Sequence, residues 1–228
     1  MSAARSEEAS SMSGFAQTGV ALDPARLQGP HAHEPVGALW GFWWFLMSDA
    51  IVFALLFATY GLMLPGTAGG PSPGQVYHLG DAFLETMLLL ASSFGFGMAS
   101  LELQLPPSGH QSPAARAPRR LYAWLLLTLL LGLGFVGMEL HDFAGMVAAG
   151  AGPGRSGYLS SFFLLVATHG LHVFSGCVWL VVMLVQLAVF GLDVRVRLNL
   201  SRLALFWHFL DVVWIGIFSV VYLQGLIR

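Results

Sequence analysis

Residues Tyr158 to Phe190 read YLSSFFLLVATHGLHVFSGCVWLVVMLVQLAVF, an apolar block with no Asp, Glu, Lys or Arg. About 20 such residues span a hydrocarbon core as an α-helix, so the block reads as a membrane span and sets the class of the whole chain. Four further blocks share its character, approximately Gly37 to Leu64, Asp81 to Leu103, Leu121 to Ala148 and Leu203 to Ile227. The connections Pro65 to Gly80, Gln104 to Arg120, Ala149 to Gly157 and Gly191 to Arg202 are short, polar and punctuated by Gly and Pro, as turns at a membrane surface are. The expected fold is all-α, an integral membrane bundle of five transmembrane helices over residues 37–228. A flexible cytoplasmic tail, residues 1–36, precedes it and contains no apolar run of signal-peptide length.

Composition points the same way. Of 228 residues, 56% are hydrophobic and 10% charged, against a charged share of about a quarter in soluble domains, and the mean hydropathy is +0.72. Too few polar side chains are present to coat a water-soluble surface. All ten basic residues are arginines and the formal net charge is -2, which excludes a polybasic nucleic-acid surface. Cys177 is the single cysteine. It has no internal disulfide partner and lies where a thiolate is poorly stabilised, so it reads as a packing residue.

The arginines orient the spans. With the amino terminus in the cytoplasm, the inner segments hold Arg5, Arg26, Arg116, Arg119, Arg120, Arg195, Arg197 and Arg202, while the outer ones hold Arg155 and Arg228. That positive-inside bias, over five spans, puts the carboxyl terminus on the periplasmic side. Trp40, Trp43 and Trp44 open the first span and Tyr122 and Trp124 the third, at interfacial depth.

Ionisable residues inside the spans are costly in hydrocarbon and face protein, a cavity or a partner. Here they are Asp49, Glu85, Glu139, His141, Asp142, His169, His172, His208 and Asp211. Glu85, Glu139, His169 and His172 fall very roughly 27 to 31 Å above the inner ends of their spans, so a carboxylate and imidazole cluster joining the second, third and fourth helices is expected. His169 and His172 share one face, as do His208 and Asp211 lower in the fifth span. A closed hydrogen-bond network, a proton relay and a metal site at Glu139, His141, His169 and His172 all suit these residue types, the network best. Two hemes need four histidines as facing pairs at two depths, and the spacing here does not supply them. Ser160, Ser161 and Ser175 lie in no exposed turn of the kind a nucleophile needs. No catalytic, metal-binding or cofactor-binding residue is expected in this chain.

Gly132, Gly134 and Gly137 spell G-x-G-x-x-G within the third span. No strand precedes them, and a phosphate loop opened in lipid would strand its backbone polar groups, so helix packing is the reading. Small residues at Ala50, Ala54 and Ala58 and at Ala91, Gly95 and Ala99 form stripes that let helices approach closely.

Two passages then point to a family. Ala167-Thr168-His169-Gly170-Leu171-His172-Val173, followed by Phe206-Trp207-His208-Phe209-Leu210-Asp211-Val212-Val213-Trp214, strongly resembles subunit III of heme-copper respiratory oxidases. Met47-Ser48-Asp49, Leu84-Glu85-Thr86 and Gly137-Met138-Glu139 extend the likeness to about Gly37 to Gly225. Five spans, the loop Gly66 to Pro71 and the loop Gly152 to Gly157 are most similar to the branch that oxidises ubiquinol, of cytochrome bo type.

The resemblance implies a non-catalytic subunit of a proton-pumping oxidase in a bacterial inner membrane, with no redox centre of its own. Heme and copper belong to the partner subunit I, and subunit II, a small subunit IV and bound phospholipid complete the surroundings. It implies a part in assembly, lipid order and sustained proton uptake. It also implies structural pairing at Glu139, His169, His172, His208 and Asp211, with Asp49 standing where cytochrome c oxidase relatives usually hold Glu. The equivalent subunit of a cytochrome c oxidase is the first rival reading. A membrane electron carrier that itself binds heme is the second. A transporter built on inverted repeats finds no support in the sequence.

Overall fold

The computed structural model describes residues 34–67, 79–104 and 118–223. Five helices occupy them: α1 Glu34–Met63, α2 Leu79–Gln104, α3 Arg119–Ala148, α4 Gly157–Phe190 and α5 Val194–Ile217, the last continuing as a π-helical stretch over Phe218–Leu223. Each contains a segment long and apolar enough to cross a membrane. The chain divides into two units, Met1–Trp40 and Gly41–Arg228. Of the first, only residues 34–40 are described, and they are helical. The expected tail over residues 1–36 otherwise lies outside the described residues, as do most of the connections after α1 and α2.

Where described, the helix ends follow local chemistry. The Ser156 hydroxyl accepts the Leu159 amide at 3.2 Å and starts α4, a side-chain cap for one of the four amides a helix leaves unpaired. Gly191, at φ 69°, ends α4 in a backbone conformation open to glycine. Two residues later the Asp193 carboxylate accepts the Val194 amide at 2.8 Å and starts α5. α5 thus begins nine residues before the expected block at Leu203, with Arg195, Arg197 and Arg202 on its opening turns. The arginines disguise the start because they depress hydropathy without breaking the helix.

Within residues 41–228, α2, α3, α4 and α5 form a ring in which α2 packs on α3, α3 on α4, α4 on α5 and α5 back on α2. Every neighbouring pair is antiparallel. Gly95 lies against Thr128, Gly132 against Cys177, and Gly176 against Phe206 and Trp207. α5 supplies the axis of the core through Trp207 and Trp214, seven residues apart on one face and each 1% exposed. A Cβ on Gly132 would come within 2.8 Å of the Trp207 ring, so this glycine is the one of its triplet that the packing requires. A Cβ on Gly134 would meet only Leu88 at 3.9 Å and one on Gly137 nothing within 4 Å.

α1 leans on the outside of this ring, against α4 and α5. Phe42 packs edge-on to Trp179, Tyr60 tilts over Tyr158, and the Phe57 ring sits 3.2 Å from the Cβ position of Gly216. The two small-residue stripes part company here. Gly95 and Ala99 of α2 are buried in the ring while Ala91 is exposed; of the α1 stripe, Ala54 and Ala58 are exposed and Ala50 half-buried. α1 presents Phe42, Phe53, Phe57 and Tyr60 to its neighbours, while Trp43, Trp44 and Phe45 are exposed.

Candidate functional site

The polar side chains of the spans fall into three groups. The first joins α1 to α4. His172 Nε2 stands 3.2 Å from both carboxylate oxygens of Asp49, and His172 Nδ1 lies 2.7 Å from the Thr168 carbonyl. Phe53, one turn beyond Asp49, covers the His172 ring at 5.2 Å. Both nitrogens of this imidazole are engaged, one along its own helix and one across to α1.

The second group lies inside the ring. Glu85 of α2 and Glu139 of α3 are buried, 1% and 4% exposed; Tyr222 is buried as well and Asp142 half-buried. The Glu139 carboxyl occupies the space that a Cβ on Gly170 would fill, so α4 approaches α3 at the residue after His169. His169 is fully buried, stacked on Trp214 at 5.2 Å and met edge-on by Phe135 and Phe53. Neither of its nitrogens has a hydrogen-bond partner among the described residues. Two indoles hold the wall of this interior: Trp214 Nε1 donates to the Thr86 hydroxyl and Trp207 Nε1 to the Ser92 hydroxyl, both at 3.0 Å. A buried indole N–H without an acceptor is costly in hydrocarbon, and these two rungs tie α5 to α2.

The third group is His208, Asp211 and Ser93. Ser93 Oγ lies 2.7 Å from His208 Nδ1, and Asp211 Oδ2 lies 4.0 Å from the same nitrogen. Asp211 is buried but the His208 side chain is 45% exposed.

The expected cluster of Glu85, Glu139, His169 and His172 is therefore divided. Both glutamates are buried inside the ring, Glu139 against Gly170, the residue after His169, while His172 turns outward to α1. His141 is exposed on α3. His208 and Asp211 stand higher than expected, because α5 starts earlier: His208 lies fourteen residues in, about 21 Å along the helix. Among the described residues no three His, Cys, Asp or Glu side chains converge as a metal site. The sequence alone assigns no role to Thr86, Ser92, Ser93 and Tyr222. A signal existed for the first two, since the hydroxyls of α2 and the indoles of α5 are spaced about two turns apart on both helices, and antiparallel packing brings such patterns into register.

Two aromatic rungs, two buried glutamates and an outer helix pinned by one carboxylate–imidazole contact describe a supporting bundle. The profile of the family described as cytochrome c oxidase subunit III matches residues 19–226. The chain belongs to that family. Among its relatives, the cytochrome bo(3) ubiquinol oxidase subunit 3 of Pseudomonas aeruginosa is 45% identical over 196 residues, covering 86% of this chain and 89% of the relative. The protein of the same description from Pseudomonas putida is 45% identical over 187 residues, 82% of this chain and 86% of the relative. The cytochrome c oxidase subunit 3 of Bacillus sp. strain PS3 is 36% identical over 187 residues, again 82% and 86%. For a subunit III, the passages around His169 and His208 mark α4 and α5, the two helices that every other described helix leans on.

Proposed function

We propose that the chain is the non-catalytic subunit III of a proton-pumping cytochrome bo-type ubiquinol oxidase, which oxidises ubiquinol and reduces oxygen to water in a bacterial inner membrane. Its amino terminus is cytoplasmic and its carboxyl terminus periplasmic. Heme and copper reside in subunit I; subunit II, a small subunit IV and phospholipid complete the surroundings. The chain supports assembly, lipid order and proton uptake through the surface and polar order of its helices. The observation that carries this reading is the likeness, at 45% identity over 86% of the chain, to a protein described as subunit 3 of such an oxidase.

The buried groups suit that task. Asp49 and His172 occupy each other, and the Trp207 and Trp214 N–H groups are held by Ser92 and Thr86, so these side chains are spent on holding helices together. The subunit of a cytochrome c oxidase is the second reading, favoured by the 36% identity to the protein of that description. The complex carrying this chain, isolated from native membrane, tests both. Turnover with ubiquinol and none with reduced cytochrome c is expected, and the reverse would overturn the assignment of donor. The isolated chain is expected to be colourless; a heme band in its spectrum would turn it into an electron carrier.

A further inference from the structure

The opening turns of α5 carry positive charge that the chain does not balance. Arg195, Arg197 and Arg202 follow the cap of this helix, and Arg119 and Arg120 open α3 at the same end of the bundle. None of them has a carboxylate within salt-bridge distance among the described residues. The Asp193 carboxylate, the acid nearest in sequence, accepts the Val194 amide. The connection from α2 to α3, residues 105–118, contains no Asp or Glu.

Two of these arginines share a face. Arg195 and Arg202 are seven residues apart, about two turns, and Asn199 stands between them. Arg202 Nη1 donates to Asn199 Oδ1 at 3.0 Å, so the guanidinium bends back along the helix toward Arg195. Its Nε is buried without a partner among the described residues, although a guanidinium has five N–H donors to satisfy. Arg195 is exposed, and Asn199 and Arg202 are half-buried. Arg202 lies about 12 Å along the helix from its first residue, Val194.

We propose that Arg195, Asn199 and Arg202 bind the phosphodiester headgroup of an anionic phospholipid. The inference rests on the function stated above, which places the start of α5 at the cytoplasmic leaflet, and deepens it by naming the lipid class and the residues that hold it. Charge selects the ligand: two arginines without a carboxylate suit a phosphate, whose oxygens match the planar fork of a guanidinium. Depth selects its source. A free phosphate ion would have to leave water to reach Arg202, whereas a lipid phosphate is held at the interface by its own chains, beside basic residues on transmembrane helices.

The test uses the complete oxidase complex in nanodiscs that hold phosphatidylglycerol and phosphatidylcholine in equal amount, with the lipids that stay on this subunit counted by native mass spectrometry. The parent is expected to favour phosphatidylglycerol by about five- to thirtyfold, and Arg195→Gln and Arg202→Gln each to lose about fivefold of that preference. Arg202→Lys keeps the charge without the fork and should lose less than Arg202→Gln. An unchanged preference in the variant carrying both Gln substitutions would overturn the site. Displacement of the lipid by inorganic phosphate would overturn the lipid as its occupant, and so would cross-linking of a photoreactive residue at position 199 to the amino-terminal segment in place of lipid. Where a variant fails to assemble, the parent decides, since equal retention of the two lipids overturns the site without any substitution. A purified complex that carries no heme sinks the function itself. A heme-bearing complex with no lipid preference sinks the site and leaves the function standing.

Discussion

Asp49 of α1 and His172 of α4 meet at 3.2 Å, with the imidazole Nε2 equidistant from both carboxylate oxygens. It is the one carboxylate–imidazole contact between α1 and the four-helix ring among the described residues. Asp49→Ala removes the partner and leaves a partly buried imidazole nitrogen unpaired, a loss of about 1–3 kcal/mol. The expected outcome is an oxidase with an unchanged heme spectrum but weaker retention of this subunit and a lower thermal midpoint. Asp49→Asn, which keeps an acceptor, should lose less. Disappearance of a heme band in Asp49→Ala would contradict a supporting role.

Gly170 is where α4 admits the Glu139 carboxyl. A methyl group there would overlap both carboxylate oxygens, so Gly170→Ala should cost about 1–3 kcal/mol despite alanine's better helix propensity. Glu139→Ala should relieve the overlap, and the double variant should be more stable than the two single effects predict. Additive effects in a thermal-shift series of the solubilised complex would show that the two residues are not in contact.

The triplet Gly132, Gly134 and Gly137 separates packing from composition. Gly132→Ala drives a methyl into the Trp207 ring and within 3.2 Å of Cys177 Sγ, and a loss of about 1–3 kcal/mol is expected. Gly137→Ala meets nothing within 4 Å and should change stability by no more than about 1 kcal/mol, in the stabilising direction if at all. Comparable losses for both would remove the distinction.

Cys177 is 2% exposed between α3 and α5. As the single thiol of the chain, it should resist maleimide in the folded complex and react fully after denaturation in SDS. Labelling at equal rates in the two states would show an open core. Substitution by Ala should leave the oxidase active, since the thiol makes only packing contacts.

Trp214→Phe breaks the rung to Thr86 and thins the stack over His169. A loss of about 1–2 kcal/mol is expected. Thr86→Val, which deletes only the acceptor and keeps the shape, should lose a similar amount and add little to Trp214→Phe. Strict additivity, measured by unfolding in detergent, would dissolve the rung.

The number of spans was legible from hydropathy alone, because every backbone polar group in a membrane must be paired within its own helix and the apolar run required is long. The ionisable residues worth attention were legible for the same reason, being too costly in lipid to be incidental. The start of α5 was not, since Arg195, Arg197 and Arg202 are as compatible with an interfacial helix as with a loop. Nor were the partners of the histidines. His169 and His172 are three residues apart and share a face by spacing, yet one lies among Phe53, Phe135 and Trp214 and the other reaches Asp49. Periodicity reports which residues lie on one side of a helix, and the neighbour opposite each of them is a property of the other helices.

By itself, then, the sequence determined a five-helix membrane chain, its family and the short roll of polar groups that its spans must shelter, all of which depend on each segment alone. Tertiary structure decided that α1 leans outside a ring of α2 to α5, that the Glu139 carboxyl packs against Gly170, and that His208 keeps a nitrogen exposed where His172 has Asp49. These follow from which helix packs beside which, and in a bilayer the hydrophobic pattern that marks each span is nearly uniform around it, leaving close packing and single hydrogen bonds to select the neighbours.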